Sequence, residues 1–133
     1  MKITPDTNVL LRIIVRDDER QARAALNLLA DAETVAVPLP SLCELVWVLD
    51  RGYEYTRHQI LSALDTLLSA ANVVVDRPAV DAGLAIFRAG GDFADDLIAH
   101  EGSWLGGEVF VSFDKKAVAL LDKQGRRTKL LTR

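Results

Sequence analysis

The chain has 133 residues, half of them hydrophobic, and a net charge of -3. That length fits one domain, residues 1–133, able to bury roughly two-thirds of its unfolded surface, and the mild acidity excludes a broad basic surface for nucleic acid. No apolar run approaches the ~18 residues of a bilayer span, and Pro5 and Asp6 arrive too early for a signal peptide. A cytoplasmic protein without a membrane partner is expected, and Cys43, the only cysteine, rules out an internal disulfide or a multi-cysteine zinc site and reads as a small core residue.

The elements follow in order. "KIT" predicts a short strand and "NVLLRIIV" a helix. "DERQARAALNLLADA" sets Ala22, Ala25, Leu26, Leu29 and Ala32 on one helical stripe. "TVAVP" is a second strand, and "PSLCELVWVLDRG" a helix whose start matches a capping box, Ser41 with Glu44, and which Gly52 stops. "TRHQILSALDTLLSAA" repeats the box with Thr56 and Gln59, and buries Ile60, Leu61, Leu64, Leu67 and Leu68. "NVVVD" is a third strand, "PAVDAGLAIFRAG" and "DFADDLIAHEGSWL" are helices, and "EVFVSF" is a fourth strand. "DKKAVALLDKQG" and "TKLL" close the chain as helix and strand. Strands alternating with helices predict an α/β fold, a mainly parallel central sheet covered on both faces.

Charge is unevenly spread. From Asp114 to the end, seven Lys or Arg face two Asp, a balance of +5 against -8 for the preceding residues. A basic tail on an acidic body could hold a polyanion near an acidic site, or be a solvated face.

In an open parallel sheet, ligands bind beyond the carboxyl ends of the strands. Asp6 follows the first strand and Asp114 the fourth, Glu44 lies one helical turn beyond the second, and Asp92, Asp95 and Asp96 open a helix. Asp6, Asp92 and Asp114 each occupy a position where an N-cap belongs. Capping and clustering are compatible, because helix N-termini at the carboxyl side of a sheet point to one place. Two carboxylates ~4 Å apart repel by roughly 4 kcal/mol at an effective dielectric of 20, so a cluster calls for a cation. All-oxygen donors select Mg²⁺ or Mn²⁺ over zinc, and His58 and His100 read as surface or partly packed residues. Such an ion suits phosphoryl chemistry, with in-line attack by water.

These residues resemble a known family. "PDTNVLL", "PSLCELVWVL", "GGDFADDLIA" and "VFVSFDKKA" look like the four motif blocks of PIN-domain ribonucleases, in order and across essentially the whole chain, and are most similar to the VapC toxins of bacterial toxin–antitoxin pairs. The resemblance implies a three-layer α/β/α fold and a Mg²⁺- or Mn²⁺-dependent endoribonuclease, often a homodimer, that cuts a structured RNA such as a tRNA or rRNA loop. It also implies a VapB-type antitoxin that covers the site and, as a larger complex, represses its own operon on operator DNA. Position by position, the metal-binding carboxylates would be Asp6, Glu44, Asp95 and Asp114, with Thr7, Asn8 and Ser112 as supporting polar groups and Asp92 as a cap or supporting group.

Amphipathicity does not choose between Asp95 and Asp96. A stripe of Phe93, Ala94, Leu97, Ile98, Trp104 and Leu105 leaves them equally far to either side, and it is the family pattern, an aspartate one residue before "LIA", that selects Asp95. Lys115, Lys116, Arg126 and Arg127 are candidates for RNA backbone contacts, with Arg12 and Arg16 as competitors. Trp47 reads as core or dimer interface, and Trp104 is open to the same readings. Two other functions fit parts of the pattern: a degenerate PIN-like module that only binds RNA or protein, and an aspartyl-phosphate phosphatase, whose D-x-D is broken here by Asn8.

Overall fold

The computed structural model describes residues 1–132. Among these the elements run β1 (Lys2–Ile3), α1 (Thr7–Val15), α2 (Glu19–Asp31), β2 (Thr34–Ala36), α3 (Leu39–Arg51), α4 (Arg57–Leu68), β3 (Val73–Val74), α5 (Arg77–Arg88), α6 (Phe93–Trp104), β4 (Phe110–Ser112), α7 (Lys115–Lys123) and β5 (Thr128–Leu130). Each segment predicted from the sequence is present with its predicted type. Contacts divide the chain into two units, Met1–Asp76 and from Arg77 onward.

In the first unit the strand order is β1-β2-β3, all parallel, with Ile3 beside Val35 and Val35 beside Val73. In the second, β4 and β5 pair in parallel, Phe110 with Thr128 and Ser112 with Leu130. The fold class is α/β, as expected. With strands of two or three residues, hydrogen bonding among the described residues forms two ladders, where the sequence suggested a single central sheet. No helix among them is long and apolar enough to cross a membrane.

Polar caps set the helix starts. Asp6, Asp18, Asp92 and Asp114 accept from backbone N–H groups of the turns they open, and Thr56 with Gln59 forms the predicted capping box. The Ser41–Glu44 box does not form. α3 begins three residues earlier, with Pro38 at the cap and Pro40 in the first turn, where proline's fixed φ suits a helix start. Ser41 is then inside the helix and donates its N–H to the Pro38 carbonyl (3.1 Å).

The first core gathers Leu10, Leu11, Val35, Leu42, Leu45, Leu49, Ile60 and Leu64. Leu26, Leu29 and Leu67, predicted as buried, are half-buried because α1, α2 and α4 leave between them an open apolar groove of about 770 Å³. Leu61 and Cys43 are also half-buried, and Trp47 stands 62% exposed on α3, outside the core. In the second unit α6 packs on α5, burying Phe93 and Leu97 on one helix and Val80, Leu84, Ile86 and Phe87 on the other, with Phe93 and Leu97 close over Gly83. Ile98, Trp104 and Leu105, predicted on the buried stripe, are exposed. The buried face of α6 is Phe93, Asp96 and Leu97, spaced i, i+3, i+4.

Gly91 makes the α5–α6 turn close. A Cβ there would stand 2.7 Å from Ile86 Cγ2 and from Leu120 Cδ1. Gly91→Ala is therefore expected to destabilise the protein by about 1–3 kcal/mol, the range for overpacking, read as a lowered midpoint in urea denaturation.

Candidate metal centre

In the first unit, β1 ends at Ile3, and Asp6 follows in extended backbone, exposed, accepting from the Val9 N–H at 3.1 Å. Thr7 is the first helical residue and is buried, while Asn8 is exposed. Because β1 and β2 are parallel neighbours, the helices that follow them, α1 and α3, start at the same edge of the sheet. Glu44 is exposed on the second turn of α3, and without a capping box its carboxylate is not committed to the helix start.

In the second unit, Gly90 (φ +94°) and Gly91 turn the chain into Asp92, which caps α6 and accepts from the Ala94 N–H at 2.8 Å. Asp95 follows in the first turn, partly exposed. Its carboxyl is pushed up to about 6, first by burial and then by the charges of Asp92 and Asp114. Asp114 caps α7 with one oxygen shared between the N–H groups of Lys116 (2.9 Å) and Ala117 (3.2 Å), and the Ser112 hydroxyl oxygen accepts from the Asp114 N–H (3.0 Å). Ser112 thus holds the backbone that presents Asp114.

Asp96 differs from its neighbour. It is fully buried, and its Oδ1 accepts from Arg126 Nε at 3.2 Å. Its Oδ2 has no hydrogen-bond partner among the described residues. Nothing in the sequence marks this pair, because 30 residues separate its members and no local spacing rule connects them.

Among the described residues no three His, Cys, Asp or Glu side chains converge on one metal position. What the second unit does bring together is Asp95 with Asp92 and Asp114, near enough to sense one another's charge, while Asp6 and Glu44 belong to the first unit. The donor chemistry is that of a hard divalent ion's ligands: oxygen-only side chains, with Asp95 raised first by burial and then by the charges of Asp92 and Asp114. His58 is exposed, and His100 Nε2 accepts from the Trp104 indole at 3.3 Å.

The basic residues divide by what holds them. Lys115 and Lys116 are exposed on the first turn of α7, with the Lys116 ammonium beside the Gly90 backbone. Arg127 is exposed and faces Glu108 at 3.7 Å. Arg126 is taken up by Asp96. Arg12 pairs with Asp17, whose carboxyl that hydrogen bond holds below its ordinary range, and Arg16 donates Nε–H to the Ile13 carbonyl at 3.2 Å.

Capping aspartates follow a strand in each unit, Asp6 after β1 and Asp114 after β4, and in the second unit Asp114 stands near the acidic start of α6. A sequence-family comparison matches residues 3–123 to the PIN domain, and the chain belongs to that family. PIN domains are generally nucleases that use divalent metal ions. No curated protein matches the chain.

Proposed function

We propose that this single PIN domain is a metal-dependent endoribonuclease toxin of the VapC type, cutting a structured RNA such as a tRNA or rRNA loop and thereby stopping translation. The observation that carries the reading is Asp95. A carboxyl that burial and two neighbouring carboxylates push up to about 6 is a site poised for a cation. The motif blocks assign Asp6, Glu44, Asp95 and Asp114 as metal-binding carboxylates, Thr7, Asn8, Asp92 and Ser112 as their support, and Mg²⁺ or Mn²⁺ as the ion. When bound, such an ion supplies Lewis acidity that acidifies water and neutralises charge on the scissile phosphate. The chain's own residues do the rest: Ser112 steadies the Asp114 backbone, and Lys115, Lys116 and Arg127 offer cations to the RNA backbone.

A VapB-type antitoxin is the proposed partner, with the complex acting on operator DNA through that antitoxin. A homodimer is supported by exposed apolar side chains in each unit, Trp47 on α3 and, separately, Ile98, Trp104 and Leu105 at α6. Co-expression with the product of a short reading frame just upstream tests the pairing, expected to give one co-purifying complex that does not cut RNA.

The chemistry is tested on purified protein and total RNA with Mn²⁺. Cleavage is expected to leave 5′-phosphate and 3′-hydroxyl ends, whereas 2′,3′-cyclic phosphate ends would reject the water mechanism. A phosphorylated Asp6 would establish the phosphatase reading instead. Saturating Mn²⁺ at about 100 Kd is expected to stabilise the protein by about 2.7 kcal/mol, a raised melting temperature in thermal unfolding, with a weaker response in Asp114→Asn.

A further inference from the structure

We propose that the buried Asp96–Arg126 ion pair positions Asp95 relative to Asp114, a role that rests on the metal-site reading above. α6 packs chiefly on α5, whereas α7 packs chiefly on β4 and β5 and meets the α5–α6 turn where Leu120 and Lys116 approach Gly91 and Gly90, so the two aspartates stand on segments whose main packing partners differ. Arg126 belongs to the second group. Its backbone N–H donates to the Leu121 carbonyl at the end of α7 (3.1 Å), and its neighbour Arg127 accepts from the Phe110 N–H at the start of β4 (2.9 Å). From that anchored turn the guanidinium reaches Asp96, the residue directly after Asp95 in the first turns of α6. The pair therefore joins the helix that carries Asp95 to the helix that Asp114 caps.

Hydrophobic packing alone would not select this arrangement. Asp96 is fully buried with a single hydrogen-bonded oxygen and a second one that has no partner among the described residues, an expensive way to fill a position flanked by Phe93 and Leu97. In some proteins a buried ion pair fixes the relative placement of the segments that carry it, and that is the role assigned here to Asp96 and Arg126. Residues behind metal ligands that orient them commonly change metal affinity by roughly 10- to 100-fold when lost.

The test separates positioning from stability. In the double variant Asp96→Leu/Arg126→Met the pair is replaced by apolar side chains, a change that commonly keeps a protein folded. Mn²⁺ binding by calorimetry and residual dipolar couplings of α6 and α7 amides in the metal-free protein are measured for the wild type, the double variant and Arg126→Lys. The double variant is expected to stay folded, to bind Mn²⁺ roughly 10-fold or more weakly, and to show a changed orientation of α6 against α7. Arg126→Lys, which restores a cation, is expected to recover part of both. Wild-type couplings and wild-type Mn²⁺ affinity in the double variant would overturn the proposal. Should the wild type bind no Mn²⁺, the metal-site reading fails, and the couplings alone decide whether the pair orients the helices. Should the double variant unfold, the same measurements on Asp96→Asn decide, with unchanged couplings and affinity again counting against the proposal.

Discussion

Asp95→Asn is expected to reduce RNA cleavage on the order of 10³-fold, the scale for removing one preorganised electrostatic group from a reaction centre, while making the metal-free protein more stable at neutral pH. The sign follows from linkage. The native Asp95 carboxyl keeps its proton to about pH 6 and the unfolded one only to its ordinary 3.8, so the native state binds the extra proton between those values. Its contribution to stability is complete below 3.8 and is lost as pH rises through 6. At pH 7.5 the ionised wild type carries the full penalty and the asparagine variant none. The shift of about two units would be worth roughly 3 kcal/mol if fully buried; Asp95 is partly exposed, and screening brings this to about 1 kcal/mol. Thermal unfolding without metal should show Asp95→Asn melting roughly 3 °C above the wild type at pH 7.5 and level with it below pH 4. A variant less stable than the wild type at pH 7.5 would contradict the account of a crowded acidic site.

Arg126→Ala is expected to have the largest effect on folding of any single charged-residue substitution in the second unit, about 3–5 kcal/mol. The reason is not the loss of a favourable surface bridge. Asp96 lies at 0% exposure and its Oδ2 has no partner among the described residues, so removing Arg126 strands a buried carboxylate that no other described side chain hydrogen-bonds. The exposed pair of Arg127 and Glu108 is the control: at 3.7 Å and largely in solvent, its removal should change stability by less than about 1 kcal/mol. Chemical denaturation of the two alanine variants measures the contrast, and equal losses would contradict it.

How much of this was legible in the sequence depended on whether the signal was local. Apolar periodicity and turn residues located every helix and strand, because amphipathic spacing and capping act within a few residues. The start of α3 was misplaced because Ser41 and Glu44 satisfy the spacing of a capping box, while Pro40 favours an earlier start through its own fixed φ. The buried face of α6 was misread for a longer-range reason. Averaged over its length, the apolar residues point midway between Asp95 and Asp96, but Ile98, Trp104 and Leu105 do not pack, and the face that does contains Asp96. Only knowledge of α5 and of Arg126 could reveal that. The aspartates that open α1, α6 and α7 were legible as caps, and the crowding of Asp95 by Asp92 and Asp114 as clustered helix starts; that burial is the first cause of the raised Asp95 carboxyl is tertiary and was not. Arg126, grouped with the RNA-facing cations by its place in a basic tail, turns inward to Asp96.

The central claim is that this PIN domain cuts RNA at a carboxylate-held metal site, and the most direct measurement is a map of RNA ends after a brief pulse of the protein in cells. Four variants, Asp6→Asn, Glu44→Gln, Asp95→Asn and Asp114→Asn, each shown to fold, are pulsed beside the wild type. The expected result is a small set of new 5′-phosphate ends in a structured RNA with the wild type and none with any of the four. The same new ends from the folded variants would contradict the assignment of the site, and no new ends from the wild type would contradict the function.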